Sequence, residues 1–571
     1  MQKVNWNFKD NLIEPRKISE FSKKYKISHV MSVVLLNRGI ETEEQVKSYI
    51  SKSLESVNNP NLLPDMEKAA KRITEAIEKK EKIMIYGDYD VDGVTSTSLL
   101  YSFLKDMGAD VDYFIPDRIK DGYGLNILAV NKISKKGTKL IITVDCGISS
   151  FGEVELAKAQ KMDVIITDHH SCREKIPQAL AVVNPKRAHS QYPFNALAGV
   201  GVAFKLILAV AMDMGLNTRE CFDKYVEFAA IGTVADVVSL QGENRVIVHK
   251  GIQSLAKSNN FGLNALLKIA GSDGKGIDST TIAFMLSPRL NAAGRMGNAK
   301  LAVDLLLSKS EEEAYGLAVK LDETNKQRQK TELEIFREAV KMIEEDPDKD
   351  NKKVIVLARE GWHHGVIGIV ASRILEIYYK PCIIIACDGN IGKGSGRSVE
   401  GINLFDALTA CEDLLTQYGG HAQAAGLSLN MDNFDAFVKK INKYVSDNIK
   451  TEPVKTLNID CTVPSGFISI DSARQMSWLE PFGEGNEKPV FAVKGARVVS
   501  ASAIGADGKH LRLRVDISGK ITDAVGFGFG EYAKYLNPDR VIDIAFNLDI
   551  NNFMNNEKVQ LIIKDIKSRK M

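Results

Sequence analysis

Between Lys82 and Asn184 short β-branched apolar runs, at 83–86, 111–115, 140–144, 164–167 and 181–183, alternate with stretches of helical length such as 95–107 and 151–161. Strands that are apolar on both faces belong to parallel sheets covered by helices on either side. Residues from about 45 to 250 therefore predict one doubly wound α/β domain. The most apolar stretch, 196–212, is interrupted by Lys205 and is short for a membrane span of about 20 residues, so it predicts a buried helix and no membrane role.

A helical pattern fills 311–345, with Leu317, Leu321, Ile335, Ala339 and Met342 as its apolar positions and a middle, 324–332 (TNKQRQKTE), that is polar all round. A helix of that kind often bridges domains through solvent, and the charged 346–353 segment breaks it. A second mixed α/β unit follows, with strands at 354–357 and 382–386, a helix at 366–378, and glycine-rich turns at 392–396 and 419–420. After Thr451 short strands such as 511–515, 524–529 and 559–566 predict a small β-barrel of the OB type. The expected division is an N-terminal extension (1–44), the α/β domain with a helical insert (45–310), a connecting helix (311–345), a smaller mixed α/β domain (346–450) and the barrel (451–571).

Lys plus Arg (75) nearly cancels Asp plus Glu (73) over 571 residues, so a phosphate-binding face must be a local arrangement. Seven cysteines without a CxxC pair or zinc spacing suit a reducing cytoplasm. The N-terminal MQKVNWNFKD has no basic segment leading into an apolar core, so no secretory leader is expected.

The first strand empties into Gly87-Asp88-Tyr89-Asp90-Val91-Asp92-Gly93. Alternating carboxylates attract a hard divalent cation, but an EF-hand needs Glu at the twelfth position, which from Asp88 is Leu99. The third strand runs into Asp145, and the fourth into Asp168-His169-His170. In a doubly wound sheet the loops beyond the carboxyl ends of the strands face one crevice. Any one Asp at a strand end reads more readily as a helix cap than as a ligand. Together they would repel one another without a cation, and carboxylates with an imidazole suit Mn2+ or Mg2+.

GDYDVDG, VDCG, TDHH and GTVADVV resemble the DHH phosphoesterase superfamily. SPRLNAAGR (287–295), GWHHGVIG (361–368), GSGRS (394–398), GGH (419–421) and PFGEGN (481–486) narrow the resemblance to the RecJ single-strand-specific exonucleases, over nearly the whole chain. It implies two divalent ions, Mn2+ or Mg2+. Asp90 and Asp145 would hold one, with Asp88 completing it or hydrogen-bonding to it, and Asp92, Asp145, His169 and Asp236 the other. Asp145 would bridge, and His170 would sit beside the scissile phosphate. Related branches carry a ligating His where Tyr86 stands here. Such ions activate a water that attacks phosphorus in line, with no covalent enzyme intermediate. The implied activity is 5′-to-3′ degradation of single-stranded DNA to mononucleotides in recombination and repair, by a cytoplasmic monomer. A single-strand-binding protein and a RecQ-type helicase are implied partners. Rival readings are a DHH phosphodiesterase for short oligonucleotides or cyclic dinucleotides, and a non-catalytic strand-binding scaffold.

Arg289, Asn291 and Arg295 follow Pro288 in a segment that reads as turn-rich. Their forks suit phosphate, or alternatively ion pairs bracing the connecting helix. Arg397 and His421 accompany the glycine-rich segments, whose amides could approach an anion closely; the resemblance adds His364, Arg373 and Ser395 as strand contacts. Along 509–515 a period of two sets His510, Arg512 and Arg514 on one face, an outward basic stripe suited to a single strand. Core packing is favoured for Phe527 and Phe529. Gly199-Val200-Gly201 reads as close helix packing, because Phe204 stands at the third glycine position of a dinucleotide loop.

Overall fold

The computed structural model describes residues 4–569 apart from 119–121, 123, 273–275, 450 and 554–555. The chain divides into two compact units, residues 57–453 and residues 1–56 together with 454–571. No helix among the described residues is long and apolar enough to cross a membrane.

In the first unit the five apolar runs become strands β1 (Ile83–Tyr86), β2 (Val111–Phe114), β3 (Leu140–Val144), β4 (Asp163–Thr167) and β5 (Ala181–Val183). All neighbours pair in parallel, in the order β2-β1-β3-β4-β5. Helix α1 (Val91–Asp106) follows β1, and helices α2 (Gly199–Asp213) and α3 (Thr218–Ala235) follow β5. The apolar 196–212 stretch is thus mostly α2, and its lysine is fully buried. Lys205 Nζ lies 2.6 Å from Glu243 Oε2 and donates to the Asn58 carbonyl, while Tyr192 donates to the other Glu243 oxygen. Lys205→Met should therefore destabilise the protein by about 3 kcal/mol, because it strands a buried carboxylate. A lower melting temperature in calorimetry checks this, and an unchanged one contradicts it.

SPRLNAAGR is not turn-rich: it forms helix α4 (Ser287–Arg295), with Pro288 in its first turn, where a missing amide hydrogen costs nothing. The connecting helix α5 (Glu311–Glu345) has the expected extent, but its polar middle does not simply face solvent. Asp322, Asn325, Arg328 and Glu332 share one buried face. There Arg328 binds Asn325 Oδ1 and Glu332 Oε2.

A second sheet holds β6 (Ile355–Glu360), β7 (Cys382–Asp388), β8 (Ile391–Arg397), β9 (Gln417–Gly420) and β10 (Ala424–Asn430) in the order β9-β10-β8-β7-β6, with α6 (His364–Tyr378) packed on it. The expected glycine-rich turns are strands. Gly392, Gly394 and Gly396 alternate along β8 where a Cβ would press at 2.7–3.0 Å on Ile385, Met431 or Leu404. Their spacing turns Lys393, Ser395 and Arg397 to the opposite face.

In the second unit β11 (Phe491–Ile504), β12 (His510–Ile517), β13 (Lys520–Gly526), β14 (Val541–Phe553) and β15 (Asn556–Ser568) close into a five-stranded barrel, β11-β12-β13-β15-β14 and back to β11. Leu511, Leu513 and Val515 fill it, and Arg512 and Arg514 face out. Phe529 packs on the core, but Phe527 lies beyond the end of β13, 63% exposed and edge-on to His510. Core packing thus fails for Phe527. The N-terminal strand Asn5–Phe8 pairs in parallel with Thr456–Ile459.

Candidate metal centre

In this strand order the connections reverse direction between β1 and β3, which opens a crevice beyond their carboxyl ends. Asp88 and Asp90 leave β1 toward that crevice, and Asp92 sits in the first turn of α1. Asp145 directly follows β3 with φ of 61°, a left-handed backbone that Asp tolerates better than most residues. His169 and His170 follow β4, and Asp236 ends α3.

These side chains, up to 148 residues apart in the chain, converge. His169 Nε2 lies 3.2 Å from Asp145 Oδ1, 3.6 Å from Asp236 Oδ2 and 3.9 Å from Asp92 Oδ2. Three groups offer ligand atoms mutually within 4.8 Å: Asp88, Asp90 and Asp145; Asp92, His169 and Asp236; and Asp145, His169 and His170. Tyr86 turns away, its ring buried and its hydroxyl donating to the Gly124 carbonyl.

Much of the positioning comes from backbone that sequence reading left as packing. The amides of Gly199 and Val200, at the start of α2, donate to Asp92 Oδ2 and Oδ1 at 2.6 and 2.7 Å. Glycine is needed there because a Cβ at 199 would lie 2.5 Å from Asp145 Oδ1. Asp90 caps α1, its Oδ1 accepting from Gly93 N. Asp168, which the sequence offered as part of the DHH motif but not as a site residue, is fully buried. Its Oδ1 accepts from the amides of His169 and His170, its Oδ2 from Ile148 N, and Oδ1 also lies 2.7 Å from His170 Nδ1. That contact fixes the imidazole's orientation, a role carboxylates commonly serve beside catalytic histidines. Asp168→Asn should reduce kcat about 10- to 100-fold with Mn2+ binding retained; full activity would contradict the assignment.

Burial first, and neighbouring carboxylates second, push the carboxyls of Asp88, Asp92 and Asp145 well above their usual range and Asp236 up to about 7. Burial, then the charge of His170, pulls His169 down to about 3, leaving a neutral ligand-ready ring. Burial also lowers His170, but the hydrogen bond and charge of Asp168 outweigh it, so its pKa is raised. Asp88 Oδ1 and Asp236 Oδ2 are buried without hydrogen bonds. Oxygen-rich groups with orphaned buried oxygens and one neutral imidazole fit hard divalent ions.

A pH dependence follows. With a folded pKa near 7 against an ordinary 3.8, Asp236 binds more protons folded than unfolded, so the metal-free protein should lose stability as pH rises from about 4 to 7. An ion displaces those protons, so stabilisation by Mn2+ should grow across the same window. Thermal unfolding with Mn2+ or with chelator checks this; a larger Mn2+ effect at the acidic end contradicts it.

Basic side chains line the same unit. Arg295 donates to the Gly365 carbonyl, and a Cβ at Gly365, in the first turn of α6, would meet the Arg295 carbonyl at 2.2 Å. Arg397 donates to Ser395 Oγ and the Gly396 carbonyl, with Gly368 of α6 close by. Burial, and then the charges of Arg118, Arg328 and Arg397, lowers Arg295 to about 10. Partial burial and then Arg118 and Lys393 lower His364. Sequence reading missed Arg118, Arg328 and Lys393; for Lys393 the period of two along β8 was the available signal. The other expected contacts sit differently. Arg289 is ion-paired with Asp322, and Arg373 with Glu332 over the Phe336 ring, so both brace α5. Asn291 Oδ1 is buried without a hydrogen bond, and His421 is exposed where β9 turns into β10. Arg512 and Arg514 belong to the barrel unit, Arg514 lying 3.6 Å from Asp523.

Residues 82–233 match the DHH family N-terminal domain, 351–447 the DHHA1 domain and 459–565 the RecJ OB domain. The chain is 40% identical over 555 residues to the single-stranded-DNA-specific exonuclease RecJ of Bacillus subtilis, covering 96% of this chain and 69% of the relative. It is 35% identical to the Haemophilus influenzae protein of the same name, over 90% of this chain and 92% of that one. Among solved structures it resembles RecJ from Thermus thermophilus in complex with Mn2+ (TM-score 0.85, 30% identity, covering 100% of this chain and 80% of that one). The Mg2+ complex of that protein matches with a TM-score of 0.79 and 30% identity, covering 100% of this chain and 79% of that one.

Proposed function

This chain belongs to the RecJ family of single-stranded-DNA-specific exonucleases, and from that membership we infer that it hydrolyses single-stranded DNA from the 5′ end, releasing 5′-mononucleotides in recombination and repair. The observation that carries the reading is the gathering of Asp88, Asp90, Asp92, Asp145, His169 and Asp236 at one crevice, in a unit whose arginines Arg295 and Arg397 form no ion pair among the described residues.

Asp88, Asp90 and Asp145 would hold one divalent ion, Mn2+ or Mg2+, and Asp92, His169 and Asp236 a second, with Asp145 shared. Bound there, the ions lower the pKa of a water and neutralise charge gathering on the phosphate. His170, oriented by Asp168, would sit beside the scissile phosphate, where its pKa, raised by Asp168, favours the charged ring. Arg295, Arg397 and Ser395, with the amino-terminal turn of the 15-residue α6, bind a phosphate of the strand, since unpaired helix amides and Arg forks both favour anions. His364 and Asn291 extend that surface. Arg512 and Arg514, with exposed Phe527 against His510, give the barrel a face for a single strand.

Seven free cysteines support a reducing cytoplasm. A RecQ-type helicase and a single-strand-binding protein are the proposed partners, and the working form is a monomer. The test uses a 5′-labelled single strand with Mn2+ or with chelator, set against duplex, RNA and cyclic dinucleotide. Mononucleotide release from single-stranded DNA only when metal is present is expected. Metal-independent release, or preference for the cyclic dinucleotide, would overturn the reading.

A further inference from the structure

We propose that Lys186 is a further substrate-contacting residue, binding a phosphodiester oxygen of the single strand on the His170 side of the metal centre. The proposal rests on the nuclease reading above. Lys186 belongs to Asn184-Pro185-Lys186-Arg187, the segment that leaves β5. Strands β4 and β5 run parallel with Thr167 opposite Val183, and Asp168 N donates to the Val183 carbonyl. The two chains therefore emerge side by side, and Lys186 departs next to His170.

The segment is pinned on both sides of the lysine. Fully buried Asn184 donates from Nδ2 to the His170 carbonyl at 3.0 Å and accepts the Lys186 amide at 2.8 Å. Arg187 Nη1 donates to the Val182 carbonyl at 2.6 Å and to Asp65 at 2.7 Å. Arg187 is thus tied into the fold, whereas the Lys186 side chain is exposed and forms no ion pair among the described residues.

Electrostatics gives such a cation a purpose. Five carboxylates, those of Asp88, Asp90, Asp92, Asp145 and Asp236, balanced by two divalent ions leave the centre with one net negative charge, since five less four is one. A phosphate approaching it needs positive charge at the rim. Lys186, held beside His170 by Asn184, supplies it.

The test compares the full chain with Lys186→Ala and Lys186→Arg, measuring KM, kcat and the salt dependence of kcat/KM on a labelled single strand in Mn2+. Loss of one phosphate contact should raise KM about tenfold and flatten the slope of log(kcat/KM) against log salt by about 0.7. Lys186→Arg should restore most of both, with the thermal stabilisation by Mn2+ unchanged throughout. Lys186→Ala with the KM and slope of the unmodified protein would overturn the proposal, as would a loss of Mn2+ stabilisation that accounts for the whole effect. Inactivity of the unmodified chain would instead overturn the nuclease reading, and the proposal with it.

Discussion

Asparagine in place of Asp145 is expected to lower kcat at least about a thousandfold, the several kcal/mol that metal charge contributes to phosphoryl chemistry, while the fold survives. Asp145 belongs to two of the three ligand groups and stands 3.2 Å from His169 Nε2. Its loss should therefore damage both proposed ion sites at once. Asparagine keeps the shape and removes a charge that burial and four other carboxylates disfavour, so the metal-free variant should melt no lower than the parent. Its stabilisation by Mn2+ should collapse. Asp88→Asn touches one group only and should cost less. A variant at position 145 that keeps kcat within a few fold would falsify the shared-ligand assignment.

Arg295→Ala is expected to reduce kcat/KM on single-stranded DNA about 50- to 100-fold, in line with about 2 to 3 kcal/mol for hydrogen bonds to a charged partner. Arg295 sits among the charges of Arg118, Arg328 and Arg397 and donates to a backbone carbonyl. Removing it relieves like-charge repulsion, so stability should hold or rise while strand binding falls. Arg295→Lys should recover little, because an ammonium cannot reproduce the two-pronged grip on phosphate. Steady-state kinetics and melting curves together decide the matter; a variant that is both less stable and fully active would show a packing role instead.

The parallel sheet was legible because most of its strands are buried on both faces, and the acidic crevice because carboxylates at three strand ends leave few structural explanations. What was hidden depends on partners far along the chain. Asp92 is held by the amides of residues 199 and 200, 107 and 108 positions away; the apolar pattern predicts the helix there, but not that its first amides hold a carboxylate so far back in the chain. Asp168 read as part of a His motif, although its two oxygens accept three amide hydrogens beside His170. The polar middle of α5 read as solvated because burial of Arg328 with Asn325 and Glu332 becomes possible only once the neighbouring elements are in place. Glycines 392, 394 and 396 suggested turns, yet the side chains packed under β8 demand them within a strand. Nothing in chain order foretells that residues 1–56 fold with 454–571, through a pairing of Asn5 with Thr456.

The decisive measurement is anomalous diffraction at the manganese edge from crystals of the full chain soaked in Mn2+. Two peaks about 3.5 to 4 Å apart are predicted, one against Asp88, Asp90 and Asp145 and the other against Asp92, His169 and Asp236. No peak in the crevice, or a single peak that leaves either group without metal, would contradict a two-ion centre.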